Sequence, residues 1–248
     1  MRDTASQLVP VEFLRQNFAN NKELTRVFLI LRDNGLGRAG YTEDHINFLI
    51  GKGFAKSTAY RLIKNLVNLN WIEITNKGVK VRSIHKLTEG HNKYCIPVMS
   101  SMLLDKQVYK GFIFASLCNS KQQADWKRQQ REKNTQQNNR VSVEVYGSYD
   151  SHTSKTTERV MAEYIGISQK SFNVLKKISC KLGFMKSKFA FNKVNKFGTK
   201  QQALFFLGEN PNYKRIKKVG GVYLLVIGQI ISINSIISVY KYGTGFFG

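Results

Sequence analysis

The sequence predicts an α+β protein: two copies of a unit built from three helices and a β-hairpin, then an apolar C-terminal extension. Three observations predict it. GKGFAKSTAYRLIKNL, residues 51–66, puts a glycine turn ahead of a short amphipathic helix, and two alternating apolar segments follow at once. The same pattern returns 113 residues later in ISQKSFNVLKKISCKLGF, residues 167–184. Residues 219–240 then run for 22 positions without a charge.

Residues 1–20 read as a leader with little pattern. In NKELTRVFLILRD, residues 21–33, Leu24, Val27, Phe28 and Leu31 recur at helical spacing. NGLGRAG interrupts that helix. Its Gly35, Gly37 and Gly40 spell the dinucleotide-loop glycine pattern, but a helix precedes them where that loop needs a strand, so the segment reads as a flexible turn. Thr42 is placed to cap a second helix, with Glu43 and Asp44 at its positive end and Ile46, Leu49 and Ile50 on its buried side. Gly51 to Gly53 turns the chain into a third helix from Lys56 to about Asn68. WIEIT, the turn Asn76-Lys77-Gly78 and VKVRSI then alternate as a hairpin. Residues 21–90 form the first unit.

The second unit occupies residues 91–207. Gly53 matches Gly166, Thr58 matches Ser171, Leu62 matches Leu175 and Lys64 matches Lys177. Leu69 matches Leu182, and Trp71 matches Phe184. Ala162 stands four residues before Gly166, a small-residue spacing that lets two helices pack at a tight turn. Residues 102–120 read as the first helix of this unit. A basic, Gln-rich insertion over about 120–155 reads as an exposed helix fading into disorder, with a short strand at VSVEVYGSY. KFAFNKVNKFGTKQQALFFLG is expected to supply a second, longer hairpin. The remainder, 208–248, is basic and then apolar. Residues 219–240, flanked by Lys214, Arg215, Lys217 and Lys218, have the length of a membrane span, yet their β-branched residues, Gln229 and Asn234 fit strands equally well.

Charge narrows the function. Thirty-nine Lys and Arg against sixteen Asp and Glu give +23, an excess that polyanions neutralise, nucleic acid above all. After Glu163 the only acid is Glu209, against fourteen Lys or Arg. Cys95, Cys118 and Cys180 are odd in number and far apart, which argues for a reducing compartment and against a disulfide framework or zinc site. MRDTASQLVPVEFLRQ lacks the apolar run of a signal peptide, so a cytoplasmic, nucleoid-associated location is expected, with membrane association as the alternative. His45, His85, His91 and His152 have no metal-ligand spacing, and His45 reads as a surface or interface residue. No carboxylate cluster or phosphate loop marks catalysis. The expectation is a binding protein with no catalytic residue, metal or cofactor.

A helical period applied to residues 56–68 turns Ala59, Leu62, Ile63 and Leu66 inward and leaves Lys56, Ser57, Tyr60, Arg61 and Lys64 facing out. The equivalent outward set in the second copy is Gln169, Lys170, Asn173, Lys176 and Lys177. GFAKSTAYRLIKNL followed by LNWIEI resembles the recognition helix and wing entry of winged helix-turn-helix DNA-binding proteins, over residues 21–87 and, more loosely, 102–207. Two basic winged helices in one chain look like plasmid and phage replication initiators. That resemblance implies double-stranded DNA as partner, binding to repeated origin sequences, and host replication proteins or a second copy of the chain as further partners. A winged-helix transcriptional regulator would share the same parts.

In such a module the second helix of the pair meets base edges in the major groove. Arg61 is the first candidate, since its planar fork matches guanine O6 and N7. Gln169 and Asn173 suit adenine. Ser57, Thr58 and Ser171 suit phosphates or the helix caps; Ser168 is an N-cap, whereas Ala55 forgoes that bond. Lys77, Lys80 and Arg82 in the first wing, and Lys186, Lys188, Lys193 and Lys196 in the second, suit phosphates.

Overall fold

The computed structural model describes residues 6–33, 42–75, 78–88, 94–137, 158–209, 215–234 and 236–241. The NGLGRAG turn, Asn76 and Lys77, His91, His152 and the VSVEVYGSY strand lie outside them. The fold is α+β, with helices packed around small antiparallel sheets.

The leader needs correcting over residues 6–18. It forms strand β1 (Ser6–Pro10) and helix α1 (Val11–Phe18), which starts directly after Pro10, a residue that tolerates the first position of a helix and not its interior. Helix α2 (Lys22–Asp33), α3 (Thr42–Gly51) and α4 (Lys56–Asn68) follow, then a hairpin of β2 (Ile72–Thr75) and β3 (Gly78–Val81) in the register Ile72↔Val81 to Thr75↔Gly78. A one-turn α5 (Ile84–Leu87), strand β4 (Tyr94–Met99) and α6 (Ser100–Leu104) lead into α7 (Lys106–Gln137). The Gln-rich segment is therefore helical as far as Gln137.

Helix α2 and the start of α7 correspond at an offset of 84 residues, Lys22 to Lys106, which places Phe28 against Phe112 in the alignment. Each phenylalanine meets an aromatic residue just after the third helix of its unit, edge to face. Phe28 lies 5.4 Å from Trp71, and Phe112 lies 5.6 Å from Phe184. The second unit continues with α8 (Glu158–Ile165), α9 (Gln169–Lys181) and β5 (Met185–Phe197).

Its hairpin departs from the expected form. After Phe197 the chain makes helix α10 (Lys200–Glu209), then β6 (Arg215–Val219), β7 (Val222–Ile233) and finally β8 (Tyr240–Lys241). KQQALFFLG is helix rather than strand, and β5 finds its partner in β7, from Met185↔Ile233 to Phe197↔Tyr223. The sheet order is β5-β7-β6. Gly220 (φ 55°) and Gly221 (φ 83°) close the β6–β7 turn, both in the left-handed region that a two-residue hairpin turn of this kind demands.

The apolar run is thus a central strand, and the boundary at residue 207 falls inside this sheet. Leu224, Leu225 and Val226 are consecutive and all buried, so both faces of β7 are covered at these three residues. Phe206 of α10 stacks 5.4 Å from Phe197, whose partner is Tyr223, putting α10 on the face that carries Tyr223 and Leu225. No helix among the described residues is long and apolar enough to cross a membrane.

The leader joins the two units. Strand β4 sits between β1 and β8 in an antiparallel sheet. Phe13 of α1 lies 5.8 Å from Phe28 and 5.1 Å from Trp71, while Arg15, two residues on, stands over the Tyr164 ring at 5.3 Å. One continuous hydrophobic core includes residues from both units and from α1.

Candidate nucleic-acid interface

The turn between helices is built identically in both units. Gly53 (φ 87°) and Gly166 (φ 75°) adopt the left-handed conformation that lets a helix end in a pair of reversed hydrogen bonds. The amide of Gly53 donates to Ile50 O and that of Phe54 to Leu49 O; 113 residues on, Gly166 donates to Glu163 O and Ile167 to Ala162 O. The next helix opens with Ala59 donating to Ala55 O, matched by Phe172 to Ser168 O. It closes with Asn70 donating to Val67 O and Trp71 to Leu66 O, matched by Gly183 to Cys180 O and Phe184 to Ser179 O. Asn70 (φ 55°) takes the left-handed position that Gly183 (φ 77°) fills in the second unit. The caps differ as their residue types require: Ser168 Oγ accepts from the Ser171 amide at 3.2 Å, and Ala55 makes no side-chain cap.

This frame buries Ala59, Leu62, Ile63 and Leu66 of α4, the face the helical period assigns inward. Lys56, Ser57, Tyr60, Arg61 and Lys64 are exposed and Thr58 is half-buried. On α9 Gln169, Lys170, Ser171 and Lys177 are exposed and Asn173 is half-buried. Neither helix contains an acidic residue, so each outward face is cationic without internal neutralisation.

Lys176 departs from the expected set. Its ammonium lies 2.6 Å from Glu158 of α8, and the two side chains are only 12% and 20% exposed. It occupies the register position of Ile63 and ties α8 to α9 instead of facing out. His45 also departs: it is fully buried in α3 beside Ile46 and Leu49. Ile50, expected inside, is exposed.

The hairpins add cations at the flanks. Lys80 is exposed and Arg82 half-buried, both near the end of β3; Lys186, Lys188 and Lys196 are exposed on β5. The Lys77 and Lys193 side chains lie outside the described residues. Sequence reading missed Arg215, Lys217 and Lys218, exposed on β6, because a polybasic flank and a basic strand look alike without the strand's partner. Arg215 and Lys217 stand 4.3 Å and 4.1 Å from the Phe189 ring centroid, fixing two of these cations against β5. The alternation Arg215, Ile216, Lys217 was the available signal. Also missed was Val174, which is 52% exposed in the middle of the outward face of α9, at the register position of Arg61.

The cysteines are free thiols. Burial raises the pKa of all three, Cys95 to about 11 and Cys118 further still. Among the described residues no group of three His, Cys, Asp or Glu side chains could hold a metal ion. The chain matches no protein-family model, no curated protein and no solved structure.

Proposed function

We propose that the chain is a sequence-specific double-stranded DNA-binding protein made of two winged helix-turn-helix units, and that it acts as a replication initiator of the plasmid or phage type. The observation that carries this reading is the pair α4 and α9: two helices held by the same backbone hydrogen bonds, each exposing cations and no acid, the first followed by a hairpin whose second strand carries Lys80 and the second by a strand carrying Lys186, Lys188 and Lys196. Arg61 reads a guanine edge in the major groove, with Lys56, Lys64 and Tyr60 beside it. Gln169 and Asn173 meet adenine edges, while Lys170 and Lys177 hold phosphates on either side. Lysines of β3 and β5, with Arg215 and Lys217, grip the backbone next to the groove. A net charge of +23 makes counterion release the dominant source of affinity. Two units joined through one core address two neighbouring groove segments, and linking them raises the effective concentration of each at its own segment.

Selection from random duplex DNA tests the binding. Recovery of a consensus that Arg61→Ala and Lys64→Ala relax or lose supports it, and equal affinity for all duplexes overturns it. A transcriptional regulator would use the same surface; maintenance of a plasmid carrying the selected sequence only when the protein is supplied separates initiation from regulation.

A further inference from the structure

Arg61 and Val174 hold the same position in two equivalent helices, 113 residues apart. The helix bounds coincide in register, Lys56–Asn68 with Gln169–Lys181. The backbone hydrogen bonds of the turn and of the helix ends coincide as well. Ala59, Leu62 and Leu66 are buried, and so are their counterparts Phe172, Leu175 and Ser179. A side chain at 174 therefore projects as one at 61 does, and both are exposed. Their chemistry is opposite: a guanidinium against an isopropyl group.

A single exposed valine is ordinary on a protein surface. This one lies between Lys170, one turn before it, and Lys177, one turn after, on the exposed face of α9. Its β-branched side chain is also a poor helix former, so it adds little to α9 itself. The apolar feature of the major groove is the C5 methyl group of thymine.

Building on the DNA reading above, we propose that Val174 packs on a thymine methyl group in the half-site beneath α9, at the place where Arg61 meets a guanine beneath α4. The recognised sequence then consists of two unlike halves, and the protein sits on it in one direction only. Lys170 and Lys177 hold the flanking phosphates and set the depth at which the valine meets the methyl.

The test uses the full chain and the duplex it selects from a random pool. Arg61→Ala identifies the α4 half-site as the half whose guanine preference it relaxes. Each thymine of the other half is then replaced by deoxyuridine, which removes the methyl group alone. One such replacement is expected to weaken binding about fourfold, the worth of burying one methyl group. Val174→Ala, with an unchanged thermal transition, is expected to bind the thymine site weaker by about the same factor and to ignore the replacement. Val174→Arg is expected to shift the preference at that position to guanine. Tolerance of deoxyuridine at every position, or a penalty that persists in Val174→Ala, overturns the assignment and leaves the DNA reading standing. A chain that selects no sequence overturns both.

Discussion

Lys176 of α9 holds Glu158 of α8 at 2.6 Å, in the register position that Ile63 fills in the first unit. The two copies thus differ at this position, with a buried isoleucine in the first and a partly buried ion pair in the second. Removing one member of such a pair leaves the other charge without its counter-ion. Lys176→Ala should therefore lower unfolding stability by roughly 1–3 kcal/mol, less than a fully buried pair because water reaches both groups. Lys177→Ala should leave stability within about 0.5 kcal/mol and reduce the salt slope of DNA binding by about one. Urea unfolding and affinity measured across salt concentrations check both. A Lys176→Ala protein of wild-type stability and weakened DNA binding would return Lys176 to the outward face.

Gly111 marks where α7 crosses α9. Its carbonyl accepts a hydrogen bond from Ser179 Oγ at 2.8 Å, and a Cβ there would stand 3.0 Å from Leu182 Cδ1 and 3.3 Å from Ile178 Cγ2. Leu182 Cδ1 is the end of a flexible side chain exposed enough to move, and Ile178 Cγ2, fixed on a β-branched carbon, has to give by only a few tenths of an ångström. For Gly111→Ala the crowding is offset by about 1 kcal/mol of helix propensity, so its stability should match wild type. Gly111→Val adds two more methyl groups to the same space and forfeits part of that propensity gain. It should cost about 1–3 kcal/mol. Chemical denaturation of the two variants side by side decides this.

What was legible in the sequence was what a short window carries. The inward face of α4 and the Gly53 and Gly166 turns follow from a 3.6-residue period and a left-handed glycine, both local. What escaped depends on distant partners. Val9 and Phe13 show no long period, and their burial comes from strand Tyr94–Met99 and from Trp71. Strand β7 loses the alternation that marks strands at Leu224, Leu225 and Val226, where both its faces are covered, and its run of apolar residues then imitates a membrane segment. The partner of β5 lies beyond a helix, where a simple hairpin places it a few residues away. Lys176 looked solvent-facing because residue type is a poor guide to depth when Glu158 waits across the interface. For the candidate interface, cations were found by type, whereas Val174 required the register of the repeat and its exposure together.

Phe13 makes the leader structural. Its ring touches Phe28 and Trp71 in the first unit, while Arg15 of the same helix covers Tyr164 in the second. Phe13→Ala should cost about 3–5 kcal/mol, the range for deleting a buried aromatic side chain. Arg15→Ala, whose guanidinium also pairs with Glu12 on the same helix, should cost about 1 kcal/mol or less. Urea midpoints check the ranking. A Phe13→Ala protein of wild-type stability would return α1 to the status of an appendage.

Cys95 lies in the central strand β4, paired with Pro10 on one side and Tyr240 on the other. Burial raises its thiol pKa from 9.0 to about 11. The folded protein therefore keeps the proton that the unfolded chain releases, and unfolding gives up a proton between those values. By linkage the contribution to stability is fully present below pH 9 and is lost as pH climbs through the folded value near 11. The buried hydroxyl of Tyr109, whose pKa is also raised by desolvation, adds a loss of the same sign at higher pH. Wild-type stability should thus fall across this window more steeply than that of Cys95→Ala, measured by urea unfolding at a series of alkaline pH values. At pH 8 a thiol reagent should modify half-buried Cys180 well before Cys95 or Cys118, because reaction needs an accessible thiolate. Parallel pH curves for wild type and Cys95→Ala would show that β1 and β8 leave the thiol open to water.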